Sequence, residues 1–360
     1  MSLKLLRIHN VRNLSEVDIE PCSGLNIFYG ANASGKTSLL ESISILGTTR
    51  SFRTHHVKQI IQYTKTELTV FGQLNDGEKT FPIGIEKSKN ATTVRINGQT
   101  LKQSSELTKL LPVVSLHPEL HRLVSEGPKF RRQFLDMGVF HVEHHFLSIW
   151  QDYHKILRQR NAALRQEQSD SLIKMWDKDL IKYSEQITAM RQDYIARLQK
   201  YYETTASSLL GFIPDIHYQT GWSKDLDFAT ALHEGFDNDK DKHYTRSGPH
   251  RADIKFSYQA TPVQHCFSRG QQKMLVTILL LSQALLLREK QQHCIILVDD
   301  LAAELDVEHR QLLMQLLQDS QAQCFISLTD PNLLNIDSAL DIKLFHVEHG
   351  VITADTMNSL

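Results

Sequence analysis

Alternating hydrophobic and polar positions open the chain and predict β-strands. The segments LKLLRIHN, LSEVDIEP and GLNIFYG have a strand pattern, and ELTVFGQL, TFPIGIEKS and LPVVSL repeat it later. A helical pattern begins at Lys36 and runs to about Leu46. Asn97 and Gly98 predict a tight turn between two short strands. The first part of the chain therefore combines many strands with few helices.

The hydrophobic period becomes helical between about residues 128 and 210. Apolar residues recur at 142, 146, 149, 153 and 156, and again from Ile173 to Tyr194, in alternating steps of three and four. This heptad spacing predicts two helices that pack along a seam, one over about 128–166 and one over 171–210. We expect them to form a helical arm, although two helices that simply pack on the main domain would show the same pattern.

Strand and helix patterns alternate again toward the end of the chain. Residues 211–265 predict strands and a polar loop. A long apolar helix, the strand CIILVDD, a helix from Val307 to Gln318, the strand QCFISLTD and a final strand pair follow. We therefore predict an α/β domain made of an N-terminal lobe (1–121) and a C-terminal lobe (211–360), with a helical insertion (122–210) between them.

Composition indicates a soluble globular protein, with 41% hydrophobic and 22% charged residues. The four cysteines share no metal-binding spacing, and the N-terminus lacks a signal-peptide pattern, so we expect a cytoplasmic protein. Residues 1–210 carry a charge of +7 and residues 211–360 a charge of −8. A basic half can bind a polyanion or be a solvated surface, and charge alone does not decide. If this half binds DNA, the residues that contact the DNA phosphates would include, for example, Arg131, Arg132, Arg158 and Arg160.

The segment GANASGKT, residues 30–37, fits the phosphate-loop pattern G-x-x-x-x-G-K-[ST] and lies between a predicted strand and a predicted helix. Gly30 and Gly35 let the backbone curl around a phosphate, Lys36 reaches the β- and γ-phosphate oxygens of ATP, and Thr37 ligates Mg²⁺. The candidate ATP-binding residues are Gly30, Ala31, Asn32, Ala33, Ser34, Gly35, Lys36, Thr37 and Ser38.

Two carboxylates end the strand CIILVDD. Asp299 is placed to hold Mg²⁺, together with Thr37, and Asp300 is placed to polarise the attacking water. Solvated acids at a strand end are the alternative, which is weaker because a phosphate loop requires such a partner. Lys36 and Asp300 are thus the catalytic candidates, and Ala303–Asp306 is predicted to form an interface turn.

A second candidate anion site lies at the start of the long apolar helix. Ser268 occupies an N-cap position before Arg269, Gly270 and Gln271, and the free N–H groups of a first helical turn favour an anion. The alternative is that Ser268 only caps its own helix, and for an isolated serine that is the commoner case.

These motifs together resemble the RecF family of bacterial recombination mediators, in the SMC-like branch of the ABC-type ATPase heads. The resemblance rests on LRIHNVRNL, TTRSFR, GPHRAD and FSRGQQK, and on the order of the phosphate loop, helical insertion, signature and Asp-Asp strand. It implies an ABC-type ATPase head in which Ser268, Arg269, Gly270 and Gln271 complete the ATP site of a second protomer in trans. Arg53 and Arg251 become candidates for contacts with nucleotide or DNA.

The resemblance also implies a function. It is that of a cytoplasmic, DNA-binding, weakly DNA-stimulated ATPase, an ATP-dependent homodimer that acts at single-strand gaps or junctions. Its role would lie in recombinational repair, replication and the SOS response, helping to load RecA with RecO and RecR.

Three features depart from other ABC-type heads. Asp300 stands where they usually have Glu, and the Gln loop and switch histidine have no clear counterpart. His117 or Glu119, and Ser327 or Thr329, occupy those regions. Two other functions remain as alternatives. A transporter nucleotide-binding subunit would require the Gln loop and the switch histidine, and a small-molecule P-loop kinase would not require SRGQQ or GPHR.

Overall fold

The computed structural model describes residues 2–290, 293–300, 305–330 and 341–355. The strands are β1 (Ser2–Val11), β2 (Leu14–Ile19), β3 (Leu25–Tyr29), β4 (Glu67–Asn75), β5 (Thr80–Ser88), β6 (Thr92–Ile96), β7 (Gln99–Thr100), β8 (Val113–Leu116), β9 (Asp215–Gln219), β10 (Asp253–Tyr258), β11 (Thr261–Pro262), β12 (Ile295–Asp299), β13 (Gln323–Leu328), β14 (Ile342–Glu348) and β15 (Val351–Asp355). The helices are α1 (Lys36–Thr48), α2 (Val57–Ile60), α3 (Ser104–Leu110), α4 (Arg122–Ser125), α5 (Pro128–Val142), α6 (Phe146–Arg165), α7 (Asp170–Lys174), α8 (Asp177–Leu210), α9 (Phe228–Glu234), α10 (Phe236–Lys242), α11 (Val263–Cys266), α12 (Arg269–Glu289) and α13 (Val307–Asp319).

The chain divides into two compact units. The first unit combines Met1–Leu120 with Thr277–Leu360, and the second unit is His121–Val276. Segment 211–276, which the sequence pattern assigned to a C-terminal lobe, belongs to the second unit, because β9 pairs with β10 there and α8 packs on α9.

Two six-stranded sheets enclose α1 in the first unit. One is antiparallel, in the order β2-β1-β4-β5-β6-β7, and the other has the order β15-β14-β3-β13-β12-β8. Helix α1 contacts β4 and β5 of the first sheet and β12 and β13 of the second. Eleven of its 13 residues are buried, which explains why α1 is apolar on more than one face.

The order of the second sheet brings chemically important strand ends together. Strands β14, β3, β13, β12 and β8 are all parallel, and only the edge strand β15 is antiparallel. The carboxyl ends of β3, β13 and β12 therefore lie at one edge of the sheet, which is where open α/β sheets bind ligands.

Helices α5, α6 and α8 form the framework of the second unit, with α8 packed against both α5 and α6. The prediction of a single helix over 128–166 is wrong, because Glu143 is extended (φ −119°, ψ 108°) and separates α5 from α6.

Helices α9 and α10 lie where the sequence pattern predicts part of a loop within 211–265. Asp227 caps α9 through the Thr230 N–H at 2.7 Å, and Phe228 and Phe236 are buried.

Helix α12 is, among the described residues, the one helix long and apolar enough to cross a membrane. Within its most apolar 18-residue window, however, 72% is buried inside the protein. The core helix of a soluble protein has the same properties, in agreement with the interpretation from sequence.

Two of the arginines proposed to contact DNA phosphates are buried in ion pairs instead. Arg160 has no exposed surface and donates to Asp177 at 2.8 Å, to Asp239 at 2.7 Å and to the Thr245 hydroxyl at 2.7 Å. Arg131 donates to both carboxylate oxygens of Asp253 at 2.6 and 3.0 Å. Their assignment as phosphate contacts is therefore wrong, and Arg158 is the exposed neighbour on α6.

Replacing Arg160 should test this buried cluster. Arg160→Ala removes the ion-pair partner of the buried Asp239 and leaves it, among the described residues, only the hydrogen bond from the Arg246 N–H, so we expect a loss of about 3–5 kcal/mol in the free energy of unfolding. Arg158→Ala, two residues away and exposed, should change it by less than about 0.5 kcal/mol. Urea denaturation of the three proteins measures both values, and equal losses would contradict a stabilising role for the cluster.

Candidate functional site

The loop between β3 and α1 has a backbone shape that glycine permits. The φ angles are +147° at Gly30 and +126° at Gly35, where side chains are disfavoured. A Cβ on Gly30 would also lie 2.2 Å from the Val347 carbonyl oxygen. The loop curls around Lys36, whose ammonium donates to the Gly30 and Ala31 carbonyls at 2.8 and 2.9 Å. Burial lowers the pKa of Lys36, and the charges of Asp300 and Asp299 oppose that shift.

Asn13 and Gly350 hold the outer side of this loop. The Asn13 amide donates to the carbonyls of Ser34 (3.2 Å) and Ala33 (3.4 Å), and its oxygen accepts from the Ser38 hydroxyl at 2.8 Å. The Gly350 N–H donates to the Ser34 carbonyl at 2.8 Å. Sequence reasoning assigned no role to either residue. The only signal for Asn13 was its place in the segment LRIHNVRNL.

Thr37, Asp299 and Ser327 meet at the edge of the parallel sheet. Thr37 and Ser327 donate their hydroxyls to the same oxygen of Asp299, at 2.9 and 2.7 Å. Ser327 also accepts the backbone N–H of Asp300 at 3.1 Å. Burial raises the pKa of Asp299, while the hydrogen bonds from Ser327 and Thr37 act in the opposite direction. Ser327 is thus a partner of Asp299.

Two buried side-chain oxygens at this site accept no hydrogen bond from the described residues. Asp300 has a φ of +53°, and its Oδ1 is buried without a hydrogen-bond partner among the described residues. The Ser34 hydroxyl in the loop is likewise buried and unpaired within the described part of the chain. Together with Thr37 and Asp299, these atoms provide oxygen ligands of the type that Mg²⁺ prefers, next to a lysine suited to phosphate. The residues therefore fit an ATP–Mg²⁺ complex.

A buried carboxylate positions the segment that contains Arg53. Glu41 on α1 has no exposed surface, pairs with Arg12 and accepts the Ser51 hydroxyl. The Ser51 oxygen in turn accepts the Arg53 N–H at 3.0 Å. Burial raises the pKa of Asp299, and the charge of the exposed Arg53 side chain opposes that rise to a small extent. Arg53 therefore lies within electrostatic reach of the carboxylate site.

The signature residues belong to the second unit. Ser268 and Gln271 form a reciprocal cap, in which the Ser268 hydroxyl accepts the Gln271 N–H (3.2 Å) and the Gln271 side chain accepts the Ser268 N–H (2.9 Å). Arg269 and Gly270 are exposed, and a Cβ on Gly270 would lie 3.9 Å from the Ser268 hydroxyl oxygen, with no closer atom among the described residues outside its own helix backbone. The cap expected as the simpler alternative is present, and the fold itself does not require glycine at 270.

The remaining candidates have simpler surroundings. Arg251 is exposed, with its guanidinium 5.1 Å from the centre of the Tyr244 ring. His117 stacks on Phe52 with ring centres 5.0 Å apart, and Glu119 and Thr329 are exposed. Of the predicted interface turn, Ala303 and Glu304 lie outside the described residues.

Comparison with known proteins identifies the family. The family model described as the RecF/RecN/SMC N-terminal domain matches residues 2–353. The DNA replication and repair protein RecF of Shewanella woodyi is 41% identical over 361 aligned positions, covering 98% of each chain. This chain belongs to the RecF family.

Solved structures agree with that assignment. A structure of the recombination mediator protein RecF with ATP, in the RecFOR pathway, is 25% identical with a TM-score of 0.88 and covers 98% of this chain and 99% of that chain. An Smc head bound to the C-terminal winged-helix domain of ScpA has a TM-score of 0.60 at 12% identity, covering 100% of this chain and 99% of that chain. The predicted α/β fold of an ABC-type, SMC-head-like ATPase is thereby confirmed.

Asn13 offers a test of how the loop of this RecF-family chain is held. Asn13→Ala removes the hydrogen bonds to Ala33, Ser34 and Ser38, and we expect ATP affinity to fall about tenfold because the loop must then be ordered on binding. Titration with a fluorescent ATP analogue measures the change. Asn90→Ala, at an exposed position, is the control, and equal affinities for both variants would exclude a positioning role for Asn13.

Proposed function

We propose that this RecF-family chain is a DNA-repair ATPase that binds ATP at the loop Gly30–Ser38 and closes into a homodimer on DNA. The observation that carries the proposal is the convergence of Lys36, Thr37, Asp299 and Asp300 at one edge of the parallel sheet. Few functions other than nucleotide phosphate chemistry require a buried lysine, a hydroxyl and two carboxylates together beside a glycine loop.

ATP would bind to groups that form hydrogen bonds within the loop in this structure. The Lys36 ammonium exchanges its bonds to the Gly30 and Ala31 carbonyls for β- and γ-phosphate oxygens. The N–H groups at the start of α1 add the favourable field of a helix N-terminus. Thr37 and Asp299 would hold Mg²⁺, which neutralises charge on the phosphates.

Hydrolysis would depend on Asp300. Its unpaired Oδ1 can accept a proton from a water molecule and orient that water toward the γ-phosphate. The side chain is one methylene shorter than glutamate, so it reaches less far and positions water less closely. We therefore expect slow turnover, which DNA binding increases.

The second half of the ATP site would come from another protomer. A serine hydroxyl has one donor hydrogen and two acceptor lone pairs, so Ser268 can cap α12 and still donate to a γ-phosphate. Glycine is a weaker helix former than alanine, and no packing contact among the described residues requires it at 270. Close approach of a phosphate to the Gly270 backbone would explain it.

The cellular role follows from the family. Exposed cations such as Arg158, Arg251 and Arg53 would contact the phosphates of DNA. Such contacts release counterions from the DNA. Relatives are named for DNA replication and repair, and the solved RecF structure is placed in the RecFOR pathway. We therefore assign this chain to gap repair and SOS induction in the cytoplasm, where it would help load RecA with RecO- and RecR-type partners.

Asp300→Asn should separate ATP binding from hydrolysis. The amide cannot act as a base, so we expect phosphate release to fall at least about 100-fold while ATP still binds and the dimer persists. Phosphate release and light scattering with ATP measure the two properties. Asp225→Asn, at an exposed position, is the matched control, and normal turnover of Asp300→Asn would exclude Asp300 as the base.

Mixing two inactive variants should test the signature in trans. Lys36→Ala lacks a working phosphate loop, and Ser268→Arg blocks the signature, so each homodimer lacks a complete site. A mixed dimer contains one site that joins the intact loop of the Ser268→Arg chain to the intact signature of the Lys36→Ala chain. We therefore expect equal mixtures to regain part of the DNA-stimulated ATPase activity.

Fluorescence transfer between labelled chains shows whether the subunits of that mixture have exchanged. Exchange without recovered phosphate release would rule out the trans site. Ser268→Ala provides a milder comparison, since it removes the hydroxyl without filling the space in front of Gly270.

A further inference from the structure

A cavity of about 290 Å³ lies within the second unit, apart from every residue assigned above to ATP. Helices α5, α6 and α8 and the turn around Pro249 form its wall. Its volume exceeds the roughly 30 Å³ that one water molecule occupies in the liquid. A ligand of several heavy atoms therefore has room in it.

The wall of this cavity is rich in cations. Lys129 and Arg132 come from α5 and Arg191 from α8, and Asp136 is the single carboxylate of the lining. Asp136 is already engaged, because it accepts from Arg191 at 2.7 Å and from the Trp150 indole at 3.3 Å. The remaining charge, from Lys129 and Arg132, is therefore positive and uncompensated within the wall.

Arg132 has N–H donors that form no hydrogen bond with the described residues. One of its nitrogens donates to the Ala252 carbonyl at 2.8 Å, and the guanidinium forms no ion pair with any described carboxylate. Burial, followed by the charge of Arg191, lowers the pKa of Arg132, while the charges of Asp253 and Asp136 act in the opposite direction. A partly buried guanidinium that forms no ion pair is stabilised by an anion that binds to its remaining donors.

The two histidines of the wall are neutral. The pKa values of His154 and His250 are lowered to about 4, mainly because both rings are buried. His250 is fully used, because one ring nitrogen faces the Tyr153 hydroxyl at 2.6 Å and the other the Thr245 carbonyl at 3.0 Å. The His154 ring lies against Trp150, with ring centres 4.0 Å apart, and completes the wall beside the cations.

We propose that this cavity binds a terminal phosphate group, held by the guanidinium of Arg132 and the ammonium of Lys129. The guanidinium presents paired donors that match phosphate oxygens, while the lysine adds a point charge. The Trp150 and Tyr153 rings also line the cavity and offer an apolar surface to a nucleotide base, so the cations can bind the phosphate of a nucleotide as well as inorganic phosphate. The site is distinct from the phosphate loop, whose residues all belong to the first unit.

Calorimetric titration tests this proposal in the full chain carrying Lys36→Ala, so that the phosphate loop does not contribute. The probes are inorganic phosphate, thymidine 5′-monophosphate and thymidine, which carries no phosphate. We expect saturable binding of the first or the second probe, which identifies the source, and none of the third. Arg132→Gln and Lys129→Gln should each weaken binding about tenfold or more.

Arg165→Gln is the matched control, because Arg165 is exposed on α6 and does not line the cavity. It should leave binding unchanged. Lys129 is exposed, so its variant reports on binding even if Arg132→Gln lowers stability. Absence of saturable binding, equal binding of thymidine, or equal affinities in all three variants would overturn the proposal. None of these results bears on ATP binding at Lys36.

Discussion

The burial of α1 between two sheets is the constraint from which the candidate ATP site follows. Because both faces of the helix are packed, α1 cannot shift, and its first residue, Lys36, is fixed at the edge of the parallel sheet. The same burial forces Glu41 to find partners inside the protein, and it finds them in Arg12 and Ser51. One helix therefore fixes the phosphate loop and ties two further loops beside it.

The chemistry of the site could be predicted from sequence wherever it depends on neighbours along the chain. The spacing from Gly30 to Thr37 and the pair Asp299–Asp300 are such patterns, and the structure brings them together. Asn13 and Gly350 could not be found in this way. Each reaches the loop through a turn between strands, and Gly350 is more than 300 residues away in sequence.

The predicted helices and charges differ from the structure where the local sequence pattern carries no signal. The heptad spacing continues across positions 142 and 146, so nothing in the pattern reveals the break at Glu143. Arg131 and Arg160 have the sequence surroundings of surface cations. Their carboxylate partners, Asp253 and Asp239, lie 122 and 79 residues away and become neighbours only through folding.

The position of β3 in its sheet also has a consequence for biosynthesis. Its neighbours are β13 and β14, which are made about 300 residues after it. At about 5–20 residues per second, the ribosome needs roughly 15 to 60 seconds to supply them. All strands of the antiparallel sheet β2-β1-β4-β5-β6-β7 have been made by residue 100, whereas both neighbours of β3 are still missing at that point. The phosphate loop that follows β3 therefore takes its place beside the parallel sheet only after β13 and β14 have been made.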